Sequence, residues 1–178
     1  MNETYTLHVA GLTRELPVCK ISEELSIAAF IMFGDVELTI ACARDLLEKS
    51  PEFDVIVTAE AKAIPLAYEM SRQSGKRYIP ARKGAKLYMK KPVIIEVQSI
   101  TTKSKQAMCI DQADIDYLNG KRVLIVDDVI STGGSLQAME AIVAKSTGTV
   151  VGRAAVLAEG EAAKRGDILF LAPLPLIG

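Results

Sequence analysis

Two adjacent acids followed by a run of small hydroxyl and glycine residues carry the strongest chemical signal in the chain: VLIVDDVISTGGS, Val123 to Ser135. The apolar run before the acids has the composition of a strand covered on both faces. The stretch after them is a loop that opens a helix, where free N–H groups and the helix dipole attract a phosphate. Gly133 and Gly134 allow close backbone approach, while Ser131, Thr132 and Ser135 supply hydroxyl donors. Asp127 and Asp128 suit two ribose hydroxyls or the waters around a Mg²⁺ better than they suit a phosphate. A phosphate site beside a diol site spells out a ribose 5-phosphate. A capped helix after a core strand accounts for one acid and one Ser or Thr, not for two acids and five small residues.

Other phosphate-binding patterns are absent. The string Gly-x-x-x-x-Gly-Lys-Ser/Thr does not occur, nor does the dinucleotide glycine fingerprint. A signalling receiver domain would place a VLIVDD strand near its own start, yet only 50 residues follow Asp128. Cations lie elsewhere in the chain. Ala59-Glu60-Ala61-Lys62-Ala63 follows a predicted strand, and from Arg82 to Lys105 seven basic residues accompany one acid, Glu96. Such a run usually forms a solvated face, and it equally suits a highly anionic small substrate.

Together these stretches resemble the type I phosphoribosyltransferases, over about residue 16 to the end and best within the adenine/xanthine branch. The resemblance implies that Asp127 and Asp128 hold the ribose hydroxyls of phosphoribosyl pyrophosphate (PRPP). It implies that Ser131, Thr132, Gly133, Gly134 and Ser135 hold the 5′-phosphate. Ala61 and Lys62 stand in a pyrophosphate loop that commonly reads Glu-Ala-Arg-Gly. Lysine there keeps the charge but loses two-pronged contact, and Ala63 narrows the backbone choices that glycine would leave open. Arg82, Lys83 and Lys86 match an Arg-Lys-x-x-Lys-Leu stretch that looks toward pyrophosphate, often across a homodimer interface. Mg²⁺ is the implied cofactor, held mainly by PRPP and water rather than by the protein. SITTKSKQ, residues 99–106, sits where the family has a mobile lid. The implied reaction moves ribose 5-phosphate to a purine base and releases pyrophosphate, a step of purine salvage.

For the base, Ser131 stands where hypoxanthine–guanine enzymes place an aspartate, which points to adenine or xanthine. Adenine is favoured by the overall resemblance, whereas the lid stretch is closer to xanthine enzymes. Val18, Ile21 and Glu159 are the candidate base-binding residues. The alternative from another class is a PRPP-sensing regulator without catalysis.

The elements that must position these residues follow from periodicity. Thr4–Val9 and 14–21 alternate apolar and polar residues about Gly11 and predict a hairpin. Ser22-Glu23-Glu24 has the composition of a helix start. After Gly34 and Asp35, the residues Val36, Ile40, Ala43 and Leu47 fall at helical spacing and predict an apolar stripe. Strands are expected over 54–58, 77–81, 92–100, 106–110, 122–126, 150–157 and 167–171. Helices are expected over 64–73 and through Leu136, Met139, Ile142 and Val143. The alternation predicts an α/β fold with a mainly parallel sheet flanked by helices. We read residues 1–178 as one domain, with 51–157 as the PRPP-binding core and 1–50 and 158–178 adding a small hood and flanking elements.

Composition sets the remaining bounds. Net charge is −1 over 178 residues, which argues against a nucleic-acid partner. The longest apolar run, IAAFIMF, is too short to span a bilayer, so no membrane role is expected. MNETYTLHVA lacks the pattern of a signal peptide, and a cytoplasmic location is expected. Cys19, Cys42 and Cys109 read as buried reduced thiols, and with a single histidine, His8, no transition-metal site is expected.

Overall fold

The structure is a computed structural model that describes residues 3–98 and 105–178. A hairpin of β1 (Thr4–Val9) and β2 (Leu12–Lys20) precedes β3 (Ser26–Ala28), α1 (Val36–Lys49), β4 (Val55–Ala59), α2 (Ile64–Ser74) and β5 (Arg77–Ala81). Then come β6 (Pro92–Gln98), β7 (Lys105–Asp111), α3 (Gln112–Leu118), β8 (Arg122–Ile130) and α4 (Gly134–Val143). The chain continues through β9 (Thr149–Glu159), a 3₁₀ turn over Gly160–Lys164, β10 (Leu169–Leu174) and β11 (Leu176–Ile177).

Five strands form a parallel sheet in the order β10-β9-β8-β4-β5, so the expected mainly parallel α/β fold is what the chain adopts. The run Val123–Val126 sits at its centre, and its alternate residues serve two different cores. Leu124 and Val126 pack with α1, α2 and the N-terminal strands, whereas Val123 and Ile125 pack with α3, α4 and β7. Burial on both faces is why this strand shows no polar alternation.

The direction in which successive strands are added reverses at the parallel β4–β8 pair. From β4 the chain crosses through α2 outward to β5; from β8 it crosses through α4 to β9 on the other side. The two helices cover opposite faces. The carboxyl ends of β4 and β8 therefore flank the topological switch point, where open α/β sheets leave a crevice for ligands.

A second sheet, β1-β2-β3-β11, joins the N-terminal hairpin to the C-terminal segment through the antiparallel β11–β3 pair. It forms the small hood, and it drives Leu7, Val9, Leu16 and Ala28 into the core shared with α1. Arg14 of β2 ties it to that helix: Nε and Nη2 donate to the Asp35 carboxylate at 2.7 and 3.1 Å. The same carboxylate caps α1, accepting from the Leu38 N–H at 3.1 Å.

Three expectations are corrected. Ser22–Glu24 starts no helix; the segment bends and enters β3, because pairing with β2 takes the backbone hydrogen bonds that a helix would need. In α1 the buried face is Leu38, Ala41, Cys42, Ala43 and Leu46, while Val36 and Ile40 are 67% and 42% exposed. The periodicity was rotated by small residues: Ala41, Cys42 and Ala43 let the helix sit close to the sheet and carry little apolar signal. Cys19 is exposed on β2, whereas Cys42 and Cys109 are buried free thiols as expected. Burial pushes the Cys42 thiol up to about 12, so it stays protonated. Helix α3 was not foreseen; it is only two turns long. No helix among the described residues is long and apolar enough to cross a membrane.

The corrected face of α1 predicts a contrast. Leu46→Ala, at a fully buried position, should cost about 2–5 kcal/mol through lost burial and a residual cavity. Val36→Ala should stay within about 0.5 kcal/mol. Urea unfolding of both variants checks this, and similar losses for the two would contradict the assigned face.

Candidate functional site

Pairing between β4 and β8 ends at Thr58↔Val126. There the fully buried Thr58 Oγ1 donates to the Val126 carbonyl at 2.8 Å, strapping the strands at the last point where they run together. Beyond it β8 continues alone on that side, carrying Asp127 and Asp128, while β4 gives way to a turn through Glu60, Ala61 and Lys62. The divergence opens a cleft of about 810 Å³. Ala61, Lys62 and Glu60 line one side, Asp127, Asp128 and Ser135 the other, and Lys83, Ala107 and Met108 complete it.

The two acids are buried. The Asp127 carboxylate accepts the Asp128 N–H at 2.9 Å. Burial, and next the neighbouring Asp128 charge, hold the Asp127 acid well above the usual carboxylate range. Asp128 Oδ2 is buried without a hydrogen bond and lies 3.7 Å from Lys62 Nζ, on a side chain that is itself 56% exposed. This oxygen lacks a donor within bonding distance, so it is suited to accept from a hydroxyl or a metal-bound water.

Directly after β8 the loop Ser131–Ser135 encloses a pocket of about 90 Å³ with Asp127 and Val129. Gly133 caps α4 in the left-handed region, φ +84°, and no side chain caps the helix. The first N–H groups of α4 are thus left for a ligand, with the positive end of the helix dipole behind them. The space around it is also tight, although a small shift of one side chain would relieve it. A Cβ on Gly133 would lie 3.3 Å from Arg165 Nη1, on a guanidinium held by Asp167 through Nε at 2.9 Å and Nη2 at 2.7 Å.

The cation segment after β5 is anchored at its root: Arg82 N–H donates to the Cys109 carbonyl at 2.8 Å, and Cys109 N–H returns the bond at 2.6 Å. Lys83 lines the cleft; Arg82 and Lys86 do not. Arg82 instead turns to Glu60, with Nε 2.5 Å from Oε2, and to the Tyr88 hydroxyl. Of the base candidates, Glu159 ends β9 opposite Leu174, one step past Ala158, the partner of Ile130 just before the phosphate-type loop. Val18 sits in β2 opposite Ala28, Ile21 is exposed just after that strand, and none of the three candidates lines the cleft. Ala63, where glycine was the family habit, has an ordinary right-handed backbone (φ −85°), so the alanine constrains nothing. Sequence reasoning missed the roles of Glu60, Tyr88 and Arg165 in this region. Glu60 carried a signal, an acid among cations; Arg165 had none, as it arrives from a distant turn. The lid expected over 99–106 falls, for 99–104, outside the described residues.

With this geometry in place, similarity to known proteins is informative. Residues 37–171 match the phosphoribosyl transferase domain, and the chain belongs to that family. It is 37% identical over 100 residues to an adenine phosphoribosyltransferase of a Thermotoga species, covering 56% of each chain. It is 34% identical over 122 residues to that of Rhodococcus jostii, covering 68% of this chain and 63% of the relative. The chain thus spans 56% and 63% of the length of these curated relatives, less than two thirds of either. The crystal structure of adenine phosphoribosyltransferase from Thermoanaerobacter pseudethanolicus superposes with a TM-score of 0.65 at 25% identity, over 78% of this chain and 80% of that one. The sequence resemblance to the adenine/xanthine branch is borne out.

The buried acid pair generates a prediction about stability. A raised Asp127 acid favours the folded state while protonated, and that contribution fades as pH rises through its folded value. Asp127→Asn keeps the acceptor for the Asp128 N–H and removes the charge. It should raise the melting temperature at neutral pH by roughly 2–4 °C, the shift that about 1 kcal/mol gives a domain of this size. The gain should shrink on acidification toward the ordinary carboxylate range. Thermal scans across pH check this, and a variant less stable than wild type at neutral pH would contradict it.

Proposed function

We propose that the protein is a purine phosphoribosyltransferase that moves ribose 5-phosphate from PRPP to a purine base, adenine favoured, releasing pyrophosphate in purine salvage. One observation carries the reading: an uncapped helix N-terminus, a buried acid pair and a lysine-bearing turn follow one another around two adjoining pockets at the switch point, which share Asp127, Val129 and Ser135. The substrate presents a 5′-phosphate, a diol and a pyrophosphate in that order.

On this reading Ser131–Ser135 and the α4 N–H groups hold the 5′-phosphate. Asp127 and Asp128 hold the ribose hydroxyls, and Lys62 and Lys83 face the pyrophosphate. Breaking the anomeric bond leaves positive charge on the ribose ring and negative charge on the departing group. The carboxylates stabilise the first and the lysines the second, in fixed positions that need little reorganisation. Bulk water would have to be kept from the cationic ring, which it would otherwise hydrolyse. Among the described residues no cluster of three or more metal-ligating side chains occurs. A Mg²⁺ brought in by PRPP would be held through water, with Asp128 Oδ2, buried without a hydrogen bond, as the protein's acceptor. When bound, Mg²⁺ supplies charge that neutralises the pyrophosphate as it leaves.

Glu159 remains the base-side candidate, at the carboxyl edge of the sheet. A homodimer belongs to the same reading, with Lys86, at the far end of the Arg82–Lys86 segment and outside its own cleft, approaching the neighbouring one. It is supported by Leu87, fully exposed, beside the exposed Tyr88 at the tip of that segment. A leucine that buries nothing on its own chain has apolar surface to gain from a partner.

Two experiments test the proposal. The double variant Asp127→Asn, Asp128→Asn should stay folded by circular dichroism and lose PRPP binding by calorimetry; unchanged affinity would remove the assignment. In steady-state assays with PRPP and Mg²⁺, adenine should exceed xanthine, hypoxanthine and guanine in kcat/KM by about tenfold, one or more unpaired buried groups. A preference for an oxopurine would reassign the base, and turnover with none would favour a PRPP-binding regulator. For the dimer, mixing Lys86→Ala subunits with Asp128→Asn subunits should restore activity that each lacks alone. A fully active monomer in light scattering would exclude it.

A further inference from the structure

Glu60 is an acid on the wall of a cleft that the proposed reaction fills with a pyrophosphate. By sign alone it opposes its ligand, so its geometry needs a reason. Both carboxylate oxygens are committed: Oε2 accepts from Arg82 Nε at 2.5 Å and Oε1 from the Lys83 backbone N–H at 2.5 Å. Its own N–H donates to the Ala81 carbonyl at 2.9 Å. The Glu60 and Arg82 side chains are only 14% and 28% exposed, in a region where charge-assisted hydrogen bonds are strong. Arg82 passes the connection on, to the Tyr88 hydroxyl through its side chain and to Cys109 of β7 through its backbone. The Lys83 N–H, and after it the Arg82 guanidinium, hold the Glu60 carboxyl below the ordinary glutamate range, so the contact is fully charged at neutral pH.

We propose that Glu60 is a positioning residue, a latch that fixes the Arg82–Lys86 segment against the Lys62 turn so that Lys62 and Lys83 face one another across the pyrophosphate position. Arg82 then acts as a strut and not as a pyrophosphate ligand of its own cleft, because its Nε and Nη1 are engaged by Glu60 and Tyr88 and it does not line that cleft. The negative charge does little harm to the ligand, since both oxygens point at donors of the neighbouring segment. The inference rests on the proposed transfer reaction, which supplies the pyrophosphate.

The sign of one effect decides it. Calorimetry with Mg²⁺-pyrophosphate and, separately, with ribose 5-phosphate would be run on wild type, Glu60→Ala, Glu60→Gln, Arg82→Ala and the Glu60→Ala, Arg82→Ala pair. A latch predicts that Glu60→Ala weakens pyrophosphate about tenfold or more, with ribose 5-phosphate unchanged within about twofold. Glu60→Gln, which keeps an acceptor oxygen, should fall between and keeps the test readable if the alanine variant does not fold. Arg82→Ala should add less in the Glu60→Ala background than in wild type, since the two act as one unit. Tighter pyrophosphate binding in Glu60→Ala, the result of simply deleting a repelling charge, would overturn the latch. Equal loss for both ligands would overturn it too, marking general damage to the fold. Wild-type protein that binds neither ligand would instead overturn the transfer reaction and the latch with it.

Discussion

The structure turns on two neighbouring carboxylates buried at the end of its central strand. Asp127 and Asp128 share a low-dielectric position with one lysine nearby, and nothing in the packing of a strand end calls for two charges there. Such an arrangement is tolerable only where something else completes it. The rest of the region follows from that demand. The sheet must part after the Thr58–Val126 hydrogen bond to give the acids an opening, and a cation must approach from β4. The next phosphate-type donors must come from neutral N–H and hydroxyl groups, since a further acid there would add repulsion. The chain satisfies each condition within the few residues on either side of two strand ends.

Charge is zoned along this cleft. The loop Ser131–Ser135 contains no ionisable side chain, the centre carries the acids, and the far side carries Lys62 and Lys83. A ligand with ends of different chemistry is oriented by such zoning before any shape complementarity acts. Lysine at position 62, in place of the arginine common in the resemblance, gives a compact and mobile charge. It rests near Asp128 and is free to move toward an incoming anion, whereas a guanidinium would make a more fixed, forked contact.

Much of this was legible in the chain because the central motif is local. Strand, acids, glycines and hydroxyls occupy thirteen consecutive residues, so neither long-range pairing nor register was needed to read them. The central strand was legible for a similar reason, since burial on both faces leaves an unbroken apolar run. What failed was information held by neighbours. The stripe on α1 misled because close approach to the sheet is made by Ala41, Cys42 and Ala43, whose small side chains barely register in a hydrophobic pattern, while Val36 and Ile40 do. Ser22–Glu24 has a helix-start composition, but the pairing of β3 with β2 and β11 overrides it, the latter from the other end of the sequence. Val18 and Ile21 were chosen for lying in the hood; which way a hairpin residue faces depends on a register that only the folded sheet sets. Arg165 illustrates the limit most clearly, since its approach to Gly133 links two turns with no shared local pattern.

The hood has a kinetic consequence that its small size conceals. Its closing pair joins Ile27 to Leu176, about 150 residues apart, through strands of three and two residues, so it combines a high loop-closure entropy with few hydrogen bonds. Contacts of that kind raise contact order and form after the local βα units of the main sheet. Elements with so few hydrogen bonds and such distant closure belong to the low-stability end of a fold, where local opening does not require the main sheet to open. The least firmly tied part of the molecule is then the small second sheet, while the acid pair and the phosphate-type loop follow the central strand of the five-stranded one.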